Sequence, residues 1–113
     1  MVDNSDFAIP FSGRWRIISM SLWDRDFIDE EEEGYIEFEK TGSGEFHFGY
    51  VHGQCDCRMS HKSGKPFVEW SWTGNDEMSL AEGRGWAVLK EAELHGMISF
   101  HQGDESEFVA RKI

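Results

Sequence analysis

The chain of 113 residues carries 22 acidic and 11 basic side chains, a formal net charge of −11. Its length suits a single domain spanning 1–113, with no room for a second core. So acidic a surface repels phosphate backbones and anionic headgroups, which sets nucleic acid and membrane surfaces aside as expected partners.

Apolar bulk comes chiefly from rings: nine Phe, five Trp and two Tyr. Such rings suit a pleated, half-buried surface better than a helical bundle. Two prolines and twelve dispersed glycines punctuate the chain as many short strands joined by turns. Segment 1–6 lacks the basic-then-apolar pattern of a secretory signal. No apolar run approaches the roughly 20 residues of a membrane span. Cys55 and Cys57 sit one residue apart in a strand-like stretch, so a reducing, cytoplasmic location is expected.

Taken in order, the first strand is predicted over 13–22. There Ile18, Met20 and Leu22 oppose Trp15, Ile17 and Ser19, leaving apolar groups on both faces. One face then needs a cover. A second copy docked through Ile18, Met20 and Leu22, with Met97 nearby, would make a homodimer; segment Phe7 to Phe11 folded across the strand is the alternative. The one long connection runs from Trp23 to Glu33. In it Phe27 and Ile28 are suited to plug a barrel mouth. Asp29 to Glu33 read as solvated acids, without the spaced ligands and bend-forming glycine of a calcium loop.

Further strands are predicted over 34–40, 45–51, 54–61, 66–73, 79–90, 93–101 and 106–112. Turn signals separate them at 41–44, 53, 63–66, 74–76, 91–93 and 102–104. Period-2 alternation is plain in Ile36 and Phe38, in Phe46, Phe48 and Tyr50, and in Leu94, Gly96, Ile98 and Phe100. Eight strands joined mostly by tight turns point to an all-β, antiparallel up-and-down barrel. Pairing the last strand with the first removes both exposed edges. A two-sheet sandwich is the alternative. An eight-stranded interior is just wide enough for side chains or one small ligand.

Several residues are candidates for a site. Trp70 and Trp72 share a strand face with Val68 and either fill the core, the reading favoured, or stack a ligand. Gly83, Gly85 and Ala87 leave space on one face of their strand, while Glu82, Arg84 and Trp86 share the other. Arg84 turned inward would need a carboxylate or an anionic ligand; outward exposure is favoured. Cys55 and Cys57 with His61 lack a fourth zinc ligand and read as buried reduced thiols. His47, His52, His61, His95 and His101 are scattered and read as surface residues. No catalytic residue, metal or cofactor is therefore assigned.

The stretch Phe11-Ser-Gly13-Arg-Trp15-Arg-Ile17 resembles the Gly-x-Trp opening of the calycin superfamily, which includes lipocalins and avidins. In that group the Trp closes one barrel end and a basic residue of the last strand packs on it, a place that Arg111 takes here. The resemblance implies a lipocalin-like barrel with an aromatic pocket, for which Trp15, Phe48, Tyr50, Trp70, Trp72 and Arg84 are the candidate lining. The expected function is non-enzymatic binding of a small apolar or aromatic ligand in the barrel. A homodimeric interaction module with a packed barrel, or a small calycin-like enzyme, are the alternatives.

Overall fold

A computed structural model describes residues 10–113. Its strands are β1 (Gly13–Met20), β2 (Tyr35–Phe38), β3 (Ser43–Phe48), β4 (Val51–Lys62), β5 (Lys65–Asp76), β6 (Ser79–Lys90), β7 (Glu93–Phe100) and β8 (Glu105–Lys112). Each pairs antiparallel with the next, and β8 returns to β1, so the sheet closes into an up-and-down barrel. Among the described residues no helix is long and apolar enough to cross a membrane.

The in-out rhythm of the sequence becomes the wall of this barrel. Phe46 and Phe48 of β3, Val68, Trp70 and Trp72 of β5, and Leu94 and Ile98 of β7 are all buried in one cluster. The rings meet face to edge: Phe46 and Trp72 centroids lie 5.0 Å apart at 79°, Trp72 and Phe100 5.2 Å apart at 89°. Such offset contacts add to the area that each ring removes from water. The registers that seat them are specific. Trp70 lies opposite Gly85 and Trp72 opposite Gly83, and a methyl at Gly85 would overlap the Trp70 indole. The space left by Gly85 is thus filled by tryptophan, and that at Gly83 by the Ser99 backbone carbonyl, with the Trp72 indole beside it.

One end of the barrel is closed by Trp15, which is 4% exposed and donates its indole N–H to the Phe11 carbonyl at 2.8 Å. Phe11 is itself fully buried and meets Phe38 edge-on at 6.2 Å. The cation on Trp15 is Lys112, with Nζ 5.0 Å from the ring centroid. Arg111, expected in that role, instead points outward and binds Glu93 at 2.7 Å. Successive residues of a strand take opposite faces, and Lys112, not Arg111, is the partner of Trp15 in the ladder.

The other end is plugged by the connection after β1. Asp24 caps a one-turn helix, α1 (Arg25–Ile28), by accepting the Phe27 N–H at 3.0 Å. Ile28 is 1% exposed, and Trp23 stacks on Phe27 at 5.7 Å and leans on Phe48 at 5.2 Å. The expected plug by Phe27 and Ile28 is present, and its single helical turn is too short to leave a periodicity in the sequence.

The faces of β1 differ from expectation. Its pairing with β8 shifts between Ile17 and Ser19, a bulge that inserts one residue. Beyond it Met20 turns into the core, while Ile18 is half-buried and Leu22 is 49% exposed. Ile18, Met20 and Leu22 therefore do not form one outer face. Of the segment proposed to cover β1, Phe11 belongs to the core, and residues 7–9 lie outside the described residues.

Candidate functional site

The six candidate lining residues separate into three environments. Trp15, Phe48, Trp70 and Trp72 lie in the packed interior, each at most 4% exposed. Tyr50 sits on the mouth, half-buried, and its hydroxyl donates to Glu30 at 3.0 Å. Arg84 lies on the outer face and does not meet the others. The Trp72 indole donates to the Ser99 carbonyl at 3.1 Å, whereas the buried Trp70 Nε1 has no hydrogen-bond partner among the described residues.

The outer face of β4 to β7 carries a shallow depression of about 510 Å³. Its base is aromatic: Phe67 and Trp86 stack at 6.2 Å and 18°, and Lys62 Nζ lies 4.4 Å from the Phe67 centroid. Trp86 remains 39% exposed. Arg58 and Arg84 border the same depression, beside Ser71. Neither guanidinium is in a hydrogen bond or ion pair among the described residues. With Lys62 they place three cations against the carboxylates of Asp56 and Glu69, on a chain whose overall charge is −11. Sequence parity had put Arg84 and Trp86 on one face; their neighbours Arg58 and Phe67 come from strands whose register no local signal reveals.

A second group converges beside the plugged mouth. The two-residue turn Gly49–Tyr50 makes His47 and His52 direct cross-strand partners, with rings stacked at 3.8 Å and 25°. Both belong to the outer side of the wall, yet His47 is only 4% exposed, because the acidic connection folds over it. Glu31 Oε1 lies 3.0 Å from His47 Nε2 and 3.3 Å from His52 Nε2. Those two hydrogen bonds hold the Glu31 carboxyl below its usual range.

The remaining acids of the run, half-buried at Asp29 and otherwise exposed as expected of solvated carboxylates, are engaged as well. Asp29 accepts the Gly34 N–H at 2.9 Å and pairs with Arg16 at 3.4 Å. Glu32 lies 3.6 Å from His47 Nδ1, and Glu33 lies 3.4 Å from Arg16. This convergence is hidden in the sequence, where Gly53 reads as the turn. The Gly49–Tyr50 pair, with His47 and His52 equally spaced about it, was the available signal.

Cys55 and Cys57 are buried, reduced thiols on the inner face of β4, while His61 is exposed farther along that strand. Cys57 and burial push the Cys55 thiol strongly up, so it stays protonated. Compared with known proteins, the chain matches no family model, no curated protein and no solved structure.

Proposed function

We infer that the protein is a non-enzymatic binding domain for a small aromatic ligand carrying a negative charge, held on the outer face of β4 to β7. The observation that carries this reading is a pair of guanidinium groups without partners among the described residues, Arg58 and Arg84, at the edge of an exposed indole, Trp86. A planar ring can stack on Trp86, and a carboxylate or sulfonate can take two parallel hydrogen bonds from arginine. The expected lumen site is less well supported, because the domain's own rings occupy that volume. The closed eight-stranded architecture accords with a calycin-type binding barrel, here with its ligand on the wall.

The test is a titration with anilinonaphthalene sulfonate, an aromatic anion, followed by calorimetry and by amide shifts of β5 to β7. Saturable binding should weaken by about tenfold, or ~1.4 kcal/mol, in Arg84→Ala and in Trp86→Ala. Equal affinity in both variants, with the fold intact, would overturn the reading.

A homodimer is the second reading. It rests on the apolar stripe formed on the same face by Phe67, Trp86 and Met97, not on β1. Sedimentation should then show self-association that Trp86→Ala abolishes; a monomer at high concentration would rule it out.

A further inference from the structure

We propose that Glu31, His47 and His52 form a binding site for a divalent transition-metal ion of the zinc class. The site is independent of the aromatic face and stands on its own geometry. All three ligand atoms lie within 4.8 Å of one another. A tetrahedral zinc ion with bonds of about 2.0–2.1 Å separates its ligands by about 3.3 Å. The two Glu31 distances, 3.0 and 3.3 Å, are already of that order. Nε2 of each imidazole faces the same carboxylate oxygen, so one cation can replace what hydrogen bonds now hold together.

The surroundings fit a metal site in three further ways. First, the ligands come from a hairpin and from a connection that is fixed against it. Gly49 N–H donates to the Ile28 carbonyl at 2.9 Å, and Tyr50 binds Glu30, the residue next to Glu31. Second, Glu32 stands at the far nitrogen of His47, 3.6 Å away. With an ion bound, an acidic partner there would hold the imidazole proton on Nδ1, while Nε2, which now donates to Glu31, turns its lone pair to the metal. Third, five consecutive acids, Asp29 to Glu33, give the approach a field that draws cations. Two imidazoles and one carboxylate suit zinc and its neighbours, whereas magnesium and calcium prefer all-oxygen shells. The fourth position falls to solvent, with the Gly49 carbonyl, 3.0 Å from His47 Nε2, within reach.

The experiment is calorimetric titration of the whole chain with zinc chloride, joined to visible spectra with cobalt(II). One ion per chain should bind, with the cobalt spectrum of a four-coordinate nitrogen and oxygen site and no sulfur charge-transfer band. His52 and Glu31 are about half exposed, so His52→Ala and Glu31→Gln test the ligands with little risk to folding. Each should weaken zinc by more than about tenfold, and Glu32→Gln by about tenfold, the loss usual for a partner behind a ligand. Replacing both Cys55 and Cys57 by Ser should leave the affinity unchanged, and magnesium should not compete. Absence of zinc uptake, uptake indifferent to His52→Ala and Glu31→Gln, or uptake lost with the two thiols would each overturn the proposal.

Discussion

At the scale of single residues, the interior is governed by reciprocal size across a strand pair. Gly85 admits the Trp70 ring, and the two are ladder partners. Gly85→Ala should therefore cost about 1–3 kcal/mol through overpacking. Urea unfolding of the single variant and of Gly85→Ala with Trp70→Phe would separate a steric cause from a backbone one. The smaller ring should restore part of the loss, because contacting positions do not act additively.

Tyr35 makes a different kind of claim. Burial, then its 2.9 Å hydrogen bond to Glu45, raises its phenol from 10.0 to about 12. The folded chain thus keeps a proton that the unfolded chain releases. This contribution to stability is whole below pH 10.0 and declines as pH rises toward about 12. Spectrophotometric titration should show a late phenol that disappears in Tyr35→Phe, and that variant should lose stability less steeply across the same interval.

At the scale of elements, the connection between β1 and β2 is held by its charges. Arg16 is central, since it pairs with both Asp29 and Glu33. Arg16→Ala should loosen the connection by about 1 kcal/mol, a partly exposed pair contributing no more than that. Hydrogen exchange should quicken at the Gly49 and Ile17 amides, which bond to the Ile28 and Gly34 carbonyls. Protection at β6 and β7 should not change.

How far the sequence discloses these elements depends on what each glycine is for. The strands and their inner faces are legible because alternation records burial directly, as in Trp70 and Trp72. Turn positions are less so. Gly53 reads as a turn but lies inside β4, where it makes way for the Phe46 ring. Gly74 likewise reads as a turn, yet β5 continues to Asp76. Both serve close packing, a need set by the neighbouring strand and invisible locally. Moving one turn from 53 to 49–50 brings His47 and His52 into register. The β1 bulge escapes the same reading, for period-2 counting has no place for an added residue.

At the scale of the molecule, closure joins Trp15 to Lys112 and Met20 to Phe108. Contacts so distant in sequence must be made before the core is complete, and loop closure opposes them. Folding should therefore be slow for the size of the chain, on the order of milliseconds to seconds. Stopped-flow refolding followed by tryptophan fluorescence would measure it, and microsecond folding would contradict a closed topology as the last step.

The staves of this barrel are unequal: β4, β5 and β6 each have 12 residues, and β2 has four. A cylinder built this way has a notch in its rim above the shortest stave. The segment from Trp23 to Gly34 fills that notch, with Ile28 set against the hydrophobic interior and its acids divided between the neighbouring hairpin and Arg16 of β1. Its span is accordingly fixed by the height it must make up. Insertions at the opposite rim, at Glu91 and Ala92, need answer to no such measure, while shortening this segment would admit water to the rings it shelters.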